Sequence, residues 1–187
     1  MTEWITGLDF NILYALQDSI RCEFLDFVCA FLSVAFEGGI LWFITALVMA
    51  FFPRTRTASL ALVSSVILTY FIGELLMKNL IMRDRPCVVD PSVPLAIELP
   101  KSFSFPSGHT GSSFAAAFGI FFFNKKIGIP AVVVAALVGL SRLYLFVHFP
   151  TDVLAGALLG TLLAYMVYRI FRYYCVETRL QSLFTKH

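Results

Sequence analysis

The sequence predicts an all-α, polytopic membrane helical bundle of about six transmembrane helices, preceded by an N-terminal amphipathic helix. Three observations carry that expectation. Of 187 residues, 59% are hydrophobic and 14% charged, against about a quarter charged in an ordinary soluble domain, and the mean hydropathy is +0.83. The charged residues are confined to short gaps between apolar stretches. One helix needs roughly 20 mostly apolar residues to cross a bilayer, so the chain has room for about six spans with short loops. It reads as one domain over 1–187.

Residues 1–20 place Trp4, Ile5, Leu8, Ile12, Leu13 and Leu16 at helical spacing, with Glu3, Asp9, Gln17 and Asp18 elsewhere. This is the pattern of an amphipathic helix, one that lies in the membrane interface or packs on the bundle. The segment lacks the basic region, short apolar core and cleavage site of a signal peptide, so the first span is expected to serve as the insertion signal. Spans then read as 22–36, 39–52, 58–77, 108–123, 127–147 and 152–171, with Glu37-Gly38-Gly39 between the first two. The bundle thus occupies 22–172, and 173–187 reads as a cytoplasmic tail.

Orientation follows from the basic residues, because short cytoplasmic loops collect Lys and Arg. Arg54 and Arg56, Lys125 and Lys126, and Arg169 and Arg172 follow the second, fourth and sixth spans and share one face. That face is expected to be cytoplasmic, with both termini on it. The opposite, exoplasmic face receives the connection 78–107, made irregular by Pro86, Pro91, Pro94, Pro100 and Pro106, and the turn 148–151. It also receives Lys78, Arg83, Arg85, Lys101 and Arg142, cations that run against the positive-inside trend and need another reason.

The formal charge of +2 forms no basic surface, so nucleic acid is not an expected partner. Cys22, Cys29, Cys87 and Cys175 form no CxxC pair, and neither a disulfide framework nor a metal site is read from them.

Three clusters converge on the exoplasmic face. In the first, Lys78 ends a span and Arg85-Pro86 follows seven residues later. Arg can bind two phosphoryl oxygens and Lys supplies a point charge, although such a pair can also simply anchor a helix end among headgroups. In the second, Pro106-Ser107-Gly108-His109 opens an apolar span with Ser107 at the N-cap. A helix start there points N–H groups and a positive dipole end at an anion, and Gly108 lets a phosphate approach the backbone. His109 stands where it can give a proton to a leaving oxygen, or it is a capping histidine.

The third cluster runs from Ser141-Arg142 to His148-Phe149-Pro150-Thr151-Asp152. A charged Arg142 near the end of an apolar helix is costly unless it is paired or faces a polar cavity. Pro150 breaks the helix, which puts Asp152 in the first turn of the last span. From there its carboxylate can hold one imidazole nitrogen of His148 as N–H and leave the other free as a nucleophile; an Asp cap beside an interfacial His is the plainer reading. Glu74, one turn before Lys78, either orients that lysine or offsets its burial. Asp84 balances charge at the rim. Phe103, Phe105, Tyr144, Phe146 and Phe149 flank the motifs and are candidates to line the path of an acyl or prenyl chain.

With K-x6-R-P over Lys78 to Pro86, P-S-G-H over Pro106 to His109 and S-R-x5-H-x3-D over Ser141 to Asp152, the chain resembles the type-2 phosphatidic acid phosphatase superfamily. The resemblance covers most of the chain beyond residue 20 or so. It implies that Lys78, Arg85 and Arg142 bind phosphate with help from Ser107 and Gly108, that His148 attacks phosphorus, and that Asp152 positions it. It further implies that His109 protonates the leaving oxygen, that water hydrolyses the phosphohistidine, and that no metal or other cofactor takes part.

The expected activity is hydrolysis of phosphatidylglycerol phosphate, phosphatidic acid or a polyprenyl diphosphate by an enzyme of the bacterial inner membrane. Two rivals stand beside it. A lipid-linked phosphotransferase would use the same phosphohistidine with another acceptor, and a binder or transporter would release no phosphate.

Overall fold

The structure is a computed structural model that describes the backbone over residues 2–184 and side chains over 6–174. The side chains of Trp4 and Ile5, and the terminal residue His187, lie outside the described residues. All regular elements among the described residues are helical: α1 (Thr2–Ile20), α2 (Glu23–Ala35), α3 (Ile40–Ala50), α4 (Arg56–Thr69), a π-helix (Tyr70–Met77), α5 (Lys78–Ile81), α6 (Pro86–Val89), α7 (Gly108–Phe121), α8 (Lys125–Tyr144) and α9 (Pro150–Phe184).

Three helical stretches are long and apolar enough to cross a membrane unaided: Arg56–Val89, Lys125–Tyr144 and Pro150–Tyr174. The α2–α3 pair, bent by 46° at Glu37–Gly39, makes a fourth if counted as one span. α7 runs beside them but has 14 residues, a length of about 21 Å at 1.5 Å per residue. The outward surfaces are apolar, with Phe24, Phe27 and Phe31 on α2, Leu137 and Leu140 on α8, and Leu154, Leu158 and Leu162 on α9 all exposed. In water such a belt is untenable; in hydrocarbon it is the expected exterior.

The bend bears on the span count, because among the described residues three candidate spans are found, or four with the bent pair. The Cys22 backbone N–H donates to the Tyr144 hydroxyl, 3.1 Å away, so α2 begins at the same end of the bundle as the end of α8. Ser33 then meets His109, Gly39 meets Val66 midway along α4, and Thr55 closes the far turn onto the Met49 carbonyl. The segments 22–36 and 39–52 are thus two helices joined by a 46° bend, and together they count as a fourth candidate span among the described residues. Gly38 and Gly39, at φ 57° and 77°, supply the left-handed residues that redirect the helix without reversing it.

The basic clusters share one end, as expected: Phe123, beside Lys125, packs on Phe171, and Leu62 of α4 abuts Gly119 near the end of α7. The motif residues and α1 occupy the other end. The expectation that both termini share the basic face is therefore corrected for the N-terminal helix.

Small residues let the helices approach closely. Ala115, Ala116, Ala117, Ala135 and Ala164 are fully enclosed, and a side chain at Gly160 would collide with the backbone of α7 at Gly111. Such seams are how helices associate where lipid tails are as apolar as the side chains. Trp42 spans the gap from α3 to α7 by donating to Ser113 Oγ at 3.0 Å.

α1 lies across the motif end instead of crossing the bundle. Its packed face holds Asp9 and Leu13, with Phe10 edge-on to Phe149 and Gln17 donating to the Tyr144 carbonyl, while Leu8 and Ile12 are exposed. Asp9 and Gln17 thus face the protein, contrary to the polar outer face expected of them.

Candidate active site

The π-helix carries α4 to Lys78; wide turns of this kind recur at functional sites. Lys78 is 5% exposed, and its Nζ donates to both Glu74 oxygens, at 2.8 and 2.9 Å, and to Ser102 Oγ at 3.3 Å. Met82, at φ 48°, ends α5 and turns the chain so that Arg83 and Arg85 point inward. Arg85 is wholly occupied: Nε donates to the Ser102 carbonyl, Nη2 to Ser102 Oγ and the Phe103 carbonyl, and Nη1 to the Val147 carbonyl. Nη1 also stands 3.0 Å from His148 Nε2. Every N–H of a guanidinium that can only donate is therefore used within the protein.

Ser107 sits at the N-cap position of α7, but its hydroxyl pairs with Thr110 Oγ1 at 2.9 Å and caps no N–H, which corrects the expected side-chain cap. Ser107, Gly108 and His109, at the start of α7, line the cavity. Gly108 is needed for a reason the sequence did not show: a Cβ there would strike the Glu74 carboxylate. A carboxylate thus occupies the approach to the helix start where a phosphate was expected. His109 Nε2 lies 3.0 Å from the Ser33 carbonyl; a carbonyl only accepts, so Nε2 carries the hydrogen and Nδ1 is left as the free ring nitrogen.

Arg142 closes α8, 2% exposed, and its Nε and Nη1 have no hydrogen-bond partner among the described residues. Buried polar groups are normally satisfied, and an unanswered guanidinium beside a cavity is a seat for an anion. Phe146, left-handed at φ 59°, reverses the chain and presents the Val147 carbonyl and the His148 ring to Arg85. Strain of this kind gathers at working sites.

Because Arg85 can only donate, His148 Nε2 is the acceptor and the ring proton resides on Nδ1. That nitrogen lies 3.7 Å from Asp152 Oδ2, close enough for charge to be felt and too long for a hydrogen bond. Asp152 is held instead by others. Pro150 opens α9 at its first position, and Asp152 Oδ2 accepts the Phe149 N–H at 2.9 Å, one half of a capping box. Oδ1 accepts from Arg83 Nη1 at 2.7 Å. Burial, then the positive charges of Arg85, Arg142 and Lys78, holds the His148 imidazole well below its ordinary pKa.

A cavity of about 1310 Å³ unites these groups: Lys78, Arg85, Ser107, Gly108, His109, Arg142 and His148 all line it, and Asp152 stands behind His148. The aromatic residues expected on the tail path do not line it. Tyr144, Phe146 and Phe149 are buried in the core beneath α1. The apolar wall comes from Val34, Phe43, Val66, Ile67, Tyr70 and Phe71, which carry no motif and were identifiable only as members of apolar runs. Asp9 and Ser102 were not legible as neighbours of the site, and Arg83 only as a cation on its face; an acidic residue in line with Leu13 and Leu16 on α1 was the available signal.

The sequence pattern of the PAP2 superfamily matches residues 58–174. A bacitracin transport permease protein, BcrC, of Bacillus licheniformis is 40% identical over 125 residues, 65% of this chain and 61% of that protein. An undecaprenyl-diphosphatase of Sulfolobus acidocaldarius is 30% identical over 167 residues, 88% of this chain and 80% of its own length. A crystal structure of a transmembrane PAP2-type phosphatidylglycerolphosphate phosphatase from Bacillus subtilis superposes with a TM-score of 0.74 at 30% identity, covering 90% of this chain and 87% of that one.

Proposed function

The chain belongs to the PAP2 superfamily of phosphatases, and from that premise we propose that it removes a phosphate from a membrane lipid through a phosphohistidine on His148. The observation that carries the reading is the pairing, in one cavity, of an unanswered Arg142 guanidinium with a His148 whose Nε2 is kept free of a proton by the Arg85 N–H it accepts. The first awaits an anion and the second a phosphorus atom.

Each step follows from the donors present. Arg142 Nε and Nη1, Lys78 and the N–H groups opening α7 receive the phosphoryl oxygens, after Glu74 moves aside. His148 Nε2 bonds to phosphorus as the bond from phosphorus to the lipid oxygen breaks. That nitrogen has one lone pair, so as phosphorus approaches, the Arg85 Nη1–H that points at it turns to a phosphoryl oxygen, and a ground-state contact becomes a transition-state one. His109, its Nε2–H held by Ser33, takes up on Nδ1 a proton that enters with the substrate phosphate and gives it to the departing oxygen. Neutral again, His109 takes a proton from water; the hydroxyl bonds to phosphorus, the N–P bond breaks, and His148 returns with its proton still on Nδ1. Asp152 faces the positive ring throughout. Protein cations thereby supply the charge neutralisation that metal ions provide in other phosphoryl transfer enzymes.

Clustering of Arg54, Arg56, Lys125, Lys126, Arg169 and Arg172 at one end supports a cytoplasmic location for that end and an exoplasmic one for the site. α7, short as a span, completes the passage on this reading, and α1 lies along the exoplasmic interface with Leu8 and Ile12 towards lipid. The chain beyond Arg172 falls on the cytoplasmic side. Relatives named for undecaprenyl diphosphate and phosphatidylglycerol phosphate support a small phosphate or diphosphate head on a long apolar tail as the substrate.

Phosphate release in detergent with EDTA, from phosphatidylglycerol phosphate, phosphatidic acid, undecaprenyl diphosphate and a soluble phosphoester, tests this reading. At least one lipid is turned over by wild type and none by His148→Ala. Turnover surviving that substitution removes the mechanism; release only when an alcohol acceptor is added points to phosphotransfer; binding without any release restores a transport role.

A further inference from the structure

Asp9 lies outside the three motifs and outside the cavity, yet it is 2% exposed and every contact it makes leads to the catalytic turn. Its Oδ2 accepts from Arg83 Nη2 at 2.8 Å and from Thr151 Oγ1 at 2.6 Å. Its Oδ1 accepts the Thr151 backbone N–H at 3.2 Å. Arg83 in turn gives Nη1 to Asp152 Oδ1 and to Thr151 Oγ1, each at 2.7 Å, and its guanidinium rests on the Phe149 ring, 3.9 Å from the centroid. Four charged or chargeable groups therefore stand in series: His148, Asp152, Arg83, Asp9.

We infer that Asp9 and Arg83 are positioning residues for the reaction and that α1 is a working part of the active site; this rests on His148 being the nucleophile. Charge is the first reason. Once Nε2 bonds to phosphorus the ring is positive, and Asp152 has to remain anionic although it is fully enclosed. Arg83 makes that possible, since a buried carboxylate needs a partner. A lone Arg83–Asp152 pair, however, is neutral and offers His148 little field. Asp9 on the far side of Arg83 leaves the trio with one net negative charge, directed at the ring.

Geometry is the second reason. Arg83 on one oxygen and the Phe149 N–H on the other fix the Asp152 carboxylate plane, with Oδ2 a small shift from a hydrogen bond to Nδ1. Asp9 fixes Thr151, the residue before Asp152, at two points. A docking role alone, in which Asp9 merely attaches α1, predicts a different pattern, and Leu13 separates the two. Leu13 is fully buried in the same interface and bears no charge.

The test uses the full chain in detergent, with undecaprenyl diphosphate and phosphatidylglycerol phosphate as substrates and vanadate as the competing anion. Asp9→Asn is expected to lower kcat about tenfold and Arg83→Met about a hundredfold, the range typical of residues that orient a catalytic group, with KM and vanadate inhibition within about twofold of wild type. Asp9→Glu regains most of the loss. The double variant Asp9→Asn with Arg83→Met is no worse than Arg83→Met alone, because the two act in one chain. Leu13→Ala, assayed on the folded fraction, keeps its kcat.

Wild-type kcat in Asp9→Asn, beside an inactive His148→Ala, overturns the inference and leaves the phosphatase reading intact. So does a Leu13→Ala variant as impaired as Asp9→Asn, or a loss confined to KM. Absence of phosphate release from wild type overturns the phosphatase reading and the inference together.

Discussion

Arg85 Nη1 stands 3.0 Å from His148 Nε2, and because arginine has no acceptor this contact fixes the tautomer of the ring. Arg85 thus does two jobs: it brackets the 102–103 loop and it keeps Nε2, the nitrogen proposed to attack, unprotonated. A lysine retains the charge and cannot hold both. Arg85→Lys is expected to reduce kcat by about a hundredfold while changing KM far less. Wild-type kcat in steady-state phosphate release would show that charge alone suffices.

Arg142 leaves two nitrogens unanswered, so it is expected to matter as much as the acid. Enzymatic hydrolysis of phosphate monoesters reaches accelerations of ~10²¹, of which general acid catalysis supplies about 10²–10⁴. Arg142→Ala is therefore predicted to lose at least as much activity as His109→Ala. Phosphate should also raise the melting temperature of wild type and leave that of Arg142→Ala unmoved. A mild Arg142 phenotype beside an inactive His109 variant would refute the ranking.

The depressed His148 pKa has a sign that can be followed in both rate and stability. A base whose folded pKa is lowered stays neutral at pH values where the free residue, near 6.5, is already charged. The nucleophile is thus available below that pH, and no acid limb of kcat/KM centred near 6.5 should come from it. In the same window the unfolded chain binds the extra proton, so stability contributed by neutral His148 is present above pH of about 6.5 and is lost as the pH falls from there towards the folded value. Melting curves over this range should slope for wild type and flatten for His148→Asn. An unchanged slope in the variant would assign the effect to other groups.

Glu74 holds Lys78 with both oxygens and covers Gly108, so the site contains an anion of its own. Glu74→Gln removes that competitor and leaves a buried ammonium without a counter-charge. Such a charge costs several kcal/mol. The variant is expected to melt lower than wild type when empty, to gain more from added phosphate, and to be inhibited by vanadate at several-fold lower concentration. Weaker vanadate inhibition would mean that Glu74 supports the anion site instead of filling it.

That the candidate site residues would gather in one place was legible in the sequence, because the three motifs carry their spacing locally and all contribute to one cavity. What was not legible depends on partners far apart in the chain. Asp9 meets Arg83 across 74 residues and Thr151 across 142, and a helical-face count assigned it to the outside. Gly38-Gly39 read as a loop between two spans because apolar runs record length and not direction; two left-handed residues that bend a helix by 46° look the same as a hairpin. The aromatics near the motifs were assigned to the substrate path by proximity in sequence, whereas Phe146 and Phe149 turn away from the cavity and under α1.

Val34, Ile67, Tyr70 and Phe71 line the cavity and are exposed, so an apolar rim is supplied to it by α2, α4 and the π-helix. A molecule entering over such a rim leaves its tail in the bilayer while its head is processed. A catalyst of that kind is expected to be insensitive to tail length beyond the first few carbons and to respond to the mole fraction of substrate in the membrane, so that added inert lipid should slow phosphate release at constant bulk concentration.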